Sequence, residues 1–300
     1  MKKLIPVLFL IISFATAFAQ LPTAPATPTF KRQYKTGDMY RYKLTLSEYR
    51  DDKLQFTNVS VCELRVVDSN RMQYDEVRWL SKKVIRGKDT IDQGLIAVST
   101  RPYLISLAGF GKLDLPKIER AEMTEPLEDF NTFFAAISPG FFMMGRRFSQ
   151  PGDSVYMKTP IKANFANGST IPKGEDCLAI SLRILSATEQ ETHLFTSFMP
   201  PAQPCLSYIL SDMNTPVVSG SPNNFQMVSP AGSNLFSIQY GREFFYINTT
   251  LSNVDGKILH AEMYNQLNLI VKDKCDGNYQ NCRPDMPVGE VRKLSLELLR

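Results

Sequence analysis

Apolar residues recur at every second position along much of this chain. In Tyr40, Tyr42, Leu44 and Leu46 one face is apolar, while Arg41, Lys43, Thr45 and Ser47 fill the other, the pattern of a half-buried strand. Cys62, Leu64 and Val66 mark a second such face, and Asp68-Ser69-Asn70 offers a turn into a strand around MQYDEVRWL. Leu178, Ile180, Leu182 and Ile184 alternate ahead of SATEQE, after which residues 193–199 alternate again, predicting an antiparallel pair. FFYINTTLS and KILHAEMYNQLNLIV flank a turn at Asp255-Gly256, with Leu259, Ala261, Met263, Leu267 and Leu269 expected to face inward. Leu294, Leu296 and Leu298 predict a closing strand at the C-terminus.

One stretch has a different period. Thr124 or Glu125 starts it, Pro126 suits a first helical turn, and Leu127, Phe130, Phe133 or Phe134, and Ile137 recur at helical spacing before Pro139-Gly140. A single helix of this kind excludes an alternating α/β fold, which needs repeated crossover helices. The expectation is a mainly antiparallel β protein: a large curved sheet, or two packed β-rich lobes, with a short central helix. The candidate regions are 31–160 and 172–300, with 161–171 as the candidate linker, inside the stretch KTPIKANFANGSTIPKG whose two prolines and two glycines interrupt the alternation.

The N-terminus changes the picture of where such a fold would reside. Lys2 and Lys3, an apolar run from Leu4 to Phe14, and Ala17-Phe18-Ala19 have the order of a secretory signal, expected to be cleaved after residue 19. The run is shorter than the roughly 20 apolar residues a spanning helix needs, and no later segment supplies a transmembrane anchor. Residues 20–30 are proline-rich and expected to form an extended tether. The formal charge is +4, and half of it belongs to Lys2 and Lys3, so nothing marks a nucleic-acid-binding tract. The compact leader points to a bacterial protein that is periplasmic or secreted.

Five cysteines all follow the leader, in surroundings where thiols oxidise. Cys275 and Cys282, in CDGNYQNC, are close enough around a turn to form a disulfide. Cys177 and Cys205 are a second candidate pair, leaving Cys62 as a buried thiol; counting alone does not assign connectivity.

Candidate chemistry is sparse. The stretch FFMMGRRF places Phe141, Phe142, Met143 and Met144 beside Arg146 and Arg147, a composition suited to an amphiphile with an anionic head group. His260 and Glu262 share one face of a strand and form a candidate polar site. Asp75 with Glu76, or Glu189 with Glu191, are the carboxylate pairs a glycosidase would require several ångströms apart. Neither a zinc motif nor an EF-hand pattern is present, and no cofactor is implied. The leading expectation is an exported non-catalytic binding or structural protein contacting a lipid or another envelope component. The alternative is a secreted or periplasmic hydrolase acting on peptide or polysaccharide; oligomeric state is not encoded in these patterns.

Overall fold

A computed structural model describes residues 32–107, 119–142, 148–158, 161–164, 170–173, 179–199 and 224–299. Among them the alternating segments form β1 (Met39–Arg50), β2 (Lys53–Ser69), β3 (Met72–Arg86), β4 (Asp89–Asp92) and β5 (Tyr103–Ile105), with α1 (Gly94–Ser99) before β5. The long helix α2 (Thr124–Phe142) follows, then β6 (Ser154–Lys158), β7 (Ile161–Asn164), β8 (Thr170–Lys173), β9 (Ala179–Ala187) and β10 (Glu191–Phe198). Four strands complete the chain: β11 (Phe225–Gly232), β12 (Leu235–Ser252), β13 (Ile258–Cys275) and β14 (Met286–Leu299).

All fourteen strands belong to one antiparallel sheet, whose main path runs β4-β3-β2-β1-β14-β13-β12-β10-β9-β6. The expected hairpins are all present. Asn70 and Arg71 turn β2 into β3 with positive φ values of 50° and 65°, and Gly256, at φ 70°, closes the turn between β12 and β13. β1 pairs with β14 from Arg41↔Leu299 to Arg50↔Glu290, so the first and last strands lie side by side. β12 is long enough to pair twice along one edge, with β11 over Leu235–Gly241 and with β10 over Phe245–Ser252.

α2 lies against the inner face of the sheet, in contact with strands from β3 to β9. The Phe130 ring stands 5.7 Å from Trp79 of β3 and 5.9 Å from Tyr42 of β1, edge-on in both cases. Thr196 of β10 donates to the Ala136 carbonyl at 3.2 Å. At Gly140 an added Cβ would come within 2.9 Å of the Phe148 ring and 3.1 Å of Leu182, so only glycine permits this approach to β9. Leu127, Phe130, Phe133 and Ile137 are fully buried, and Leu44, Leu64, Leu194, Ile247 and Leu296 meet them from the sheet. Apolar burial of this kind, about 25 cal/mol per Å², is what holds the sheet around its helix.

Two details depart from the sequence expectation. The helix runs past Pro139 to Phe142; proline removes only one backbone donor, and the packing of the last turn on Phe148 and Leu182 outweighs that loss. Leu259 does not join the inward row. The pairing shifts between Thr250↔His260 and Leu251↔Ile258, so a bulge puts Ile258 inside and leaves Leu259 half-buried.

Candidate functional site

Period-two geometry divides the sheet into two chemically different faces. The inner face is taken up by α2 and its apolar partners; the outer face of β10, β12, β13, β14 and β1 remains exposed or half-buried. Its side chains form rows across the strands. One row is Phe195, Asn248, Glu262, Ser295 and Thr45; the next is Ser197, Tyr246, Tyr264, Lys293 and Ser47. The small residues Thr45, Ser47 and Ser295 leave low ground between taller neighbours. The result is a groove of about 610 Å³, walled by Tyr246 and Tyr264 on one side and by Tyr49 and Lys293 on the other.

The walls are ordered by ring packing. Tyr246 and Tyr264 sit directly opposite each other with centroids 5.3 Å apart and planes within 13°, an offset stack. Phe195 extends it at 6.1 Å from Tyr246, and the Tyr264 hydroxyl donates to Gln266 at 3.1 Å. The Lys293 ammonium lies 5.0 Å from the centre of the Tyr49 ring, a cation–π contact that fixes its position. Tyr246 is 39% exposed despite its size. Further along the same strands, Arg242, Asn268 and Gly289 form another row, beside a second hollow of about 520 Å³ that Tyr240 and Pro287 help to line.

The far end of this face is closed by the disulfide loop. Cys275 and Cys282 are bonded, as their spacing predicts, and the loop lays Tyr279 edge-on against Phe236 at 5.1 Å, covering Ile238 and Tyr240. Asp276 accepts from the backbone N–H groups of Asn278 and Gln280 and from the Asn281 side chain, so its carboxylate organises the turn. Those bonds hold its pKa below the usual range. Cys62 is a free, buried thiol; Cys177 and Cys205 lie outside the described residues.

The sequence-derived candidates separate. Glu262 lines the groove and bonds His260 at 3.3 Å, with both side chains substantially exposed. Met143, Met144, Arg146 and Arg147 lie outside the described residues; Phe141 and Phe142 form the end of α2. Phe148, next to that segment, is buried in the core. The carboxylates of Asp75 and Glu76 are not opposed across a substrate. Asp75 points inward and is paired with Arg32 at 3.1 Å, whereas Glu76 points outward to Arg78 at 2.7 Å. His193 meets Thr250 at 3.1 Å and Glu191 at 3.8 Å on an open stretch of sheet. Among the described residues no group of three His, Cys, Asp or Glu is placed to hold a metal ion.

One cluster of perturbed carboxyls lies inside, under the first turns of α2. Arg292 of β14 donates twice to Asp129, at 2.7 and 2.8 Å, and lies 3.6 Å from Glu125. Burial raises the Asp129 carboxyl to about 6, while the guanidinium pulls in the opposite direction. Burial, with Asp129 nearby, raises Glu128 to about 8. A second buried pair, Arg32 with Asp75, is completed by the Tyr40 hydroxyl at 2.9 Å and the Asp255 carbonyl at 3.2 Å. It ties the N-terminal segment to the β12–β13 turn. Both clusters join separate elements of the scaffold, and neither opens onto the groove.

No protein-family model matches the chain, and no curated protein matches it. Among solved structures it is similar to a lipovitellin structure titled for lipid–protein interactions, with a TM-score of 0.39 and 9% identity over 89% of this chain and 26% of that one. This chain thus spans about a quarter of lipovitellin's length. OmpT, an outer membrane protein of Vibrio cholerae, aligns with a TM-score of 0.14 and 7% identity over 88% of this chain and 100% of that one. Likenesses this distant carry no functional inference. The sequence reasoning missed Tyr246, Tyr264, Tyr49 and Lys293; the available signal was a set of large aromatic residues on the strand positions that alternation assigns to solvent.

Proposed function

We propose that this chain is an exported, non-catalytic binding protein of the bacterial envelope or its surroundings, and that it holds its ligand on the outer face of the sheet. The observation that carries this reading is the groove of about 610 Å³ between the stacked Tyr246–Tyr264 pair and Tyr49. The inner face, where a curved sheet would otherwise receive a guest, is filled by the chain's own helix. The disulfide and the lack of a helix long and apolar enough to cross a membrane, among the described residues, are compatible with a place outside the cytoplasm.

The test is an NMR titration of the protein, with labelled tyrosine rings, against oligosaccharides, short peptides and phospholipid micelles. Micelles also probe the amphiphile expected from Phe141, Phe142 and Arg146. Saturable shifts at Tyr246 and Tyr264 with no product formed support the reading. Turnover of any of these ligands, or saturable binding that leaves both rings unperturbed, overturns it.

A further inference from the structure

We infer that the ligand of the outer groove is a linear, uncharged oligosaccharide, an assignment that rests on the outer-face reading and narrows it to one chemical class. A sugar ring presents an aliphatic C–H patch on its faces and hydroxyls around its edge. The groove has the complementary division. Tyr264, the end ring of the stack, offers aromatic surface at the wall, where covering C–H groups is favourable, with Tyr246 behind it between Phe195 and Tyr264, while Thr45, Ser47 and Ser295 line the floor with hydroxyls. Asn248 and Glu262 add amide and carboxylate partners along the same rows.

The competing classes fit less well, each for a stated reason. An acyl chain lying over Thr45 and Ser295 would strip water from hydroxyls without replacing their hydrogen bonds, whereas the Ser47 hydroxyl is already 3.2 Å from that of Thr57. An anionic polymer needs several cations in register, yet Lys293 shares the groove with Glu262. A peptide that adds as a strand needs an open sheet edge, whereas the backbone beneath the groove is paired continuously from β12 through β13 and β14 to β1. Length favours a polymer. Two separate hollows, one beside Tyr264 and one beside Asn268, lie on the same face of β13 with Gln266 between them, spanning about 27 Å from Glu262 to Ile270 at about 3.4 Å per residue, the spacing of two subsites for a polymer.

The experiment is isothermal titration calorimetry of the full chain with cellohexaose, xylohexaose, mannohexaose, maltohexaose and chitohexaose, with phosphatidylglycerol vesicles and a mixed peptide pool as parallel arms. Saturable heat is expected with at least one hexasaccharide. Tyr264→Ala should weaken it about tenfold or more, and Ser295→Arg, which fills the floor while keeping both rings, should abolish it. Lys83→Thr, at an exposed position of β3 outside the groove, should leave it unchanged, and matching melting temperatures establish that the variants fold. Vesicle or peptide binding lost in Tyr264→Ala, without saccharide binding, overturns the oligosaccharide assignment and leaves the outer-face reading intact. Silence in all arms overturns both, as does a stable dimer in light scattering that Tyr264→Ala dissociates.

Discussion

Replacing Glu128 with Gln should flatten the pH dependence of stability above neutrality. Glu128 lies on α2 beside Asp129, and its Oε1 is buried without a hydrogen-bond partner. Burial moves its pKa from 4.5 to about 8, so between those values the folded chain keeps a proton that the unfolded chain releases. Stability from this group is therefore greatest in acid and falls as pH rises through the window. The whole displacement corresponds to at most about 5 kcal/mol at 1.36 kcal/mol per unit, spread over the full window from 4.5 to about 8. Between pH 6.5 and 8.5, above the value of about 6 at which Asp129 titrates, the wild-type chain should lose about 1–2 kcal/mol. Urea unfolding at several pH values measures this directly. Glu128→Gln, neutral throughout, should lose less than about 0.5 kcal/mol over the same interval and exceed the wild type at pH 8.5. Equal slopes for the two proteins would show that Glu128 is ionised when folded and refute the reasoning.

Three further substitutions or reactions probe the scaffold. Phe130→Ala empties the meeting point of Trp79, Tyr42 and Phe134, and should cost about 3–5 kcal/mol in chemical unfolding. Gly241→Ala would place a Cβ 2.1 Å from the Asn268 carbonyl oxygen at a φ of 154°, and should lower the melting temperature by more than 10 °C or prevent folding. Cys62 is fully buried, and desolvation pushes its thiol pKa far up; iodoacetamide labelling mapped by mass spectrometry should leave it unmodified until urea unfolds the chain.

What was legible in the sequence is what a period reports. Alternation located β1, β2, β9, β10, β13 and β14, and Asn70 and Gly256 marked the turns of the β2–β3 and β12–β13 hairpins, because an inward row and a positive φ leave local compositional traces. The helix was equally visible, since Leu127, Phe130, Phe134 and Ile137 must share one side to be buried. Its C-terminal limit was not, because the turn after Pro139 packs through Gly140 on Phe148 and Leu182, which no local pattern reports. The groove was hidden for a related reason. Glu262 could be singled out beside His260, but Tyr264, Lys293 and Ser47 become neighbours only through the pairings β13–β14 and β14–β1. Those pairings bring together residues from opposite ends of the chain. Aromatic side chains on a solvent-facing row were the trace, and strand propensity explains such residues equally well until their stacking is seen.

The two faces are linked by a single register. Tyr264 faces outward because Met263 and Asn265 face inward, where Met263 packs against the core and Asn265 donates to Glu243 and to the Phe244 carbonyl. A slip of one residue in β13 would bury Tyr264 and expose Met263, losing the groove and the core contact together. β12 and β13 run in unbroken register from Ile238↔Lys272 to Thr250↔His260, between one shift beside the turn and a second between Phe236 and Ile238, and the disulfide at Cys275 closes the far end of β13. The alignment of Tyr246 with Tyr264 is thus held by constraints at both ends of β13. The buried pairs act on the neighbouring strands: Arg292 anchors β14 to α2, and Arg32 holds the chain ahead of β1 against Asp75 of β3. The helix supplies the burial that covers the inner face, and the exposed rows can then keep polar and aromatic side chains that contribute little to the core. This division lets the outer face vary in chemistry while the inner face preserves the fold.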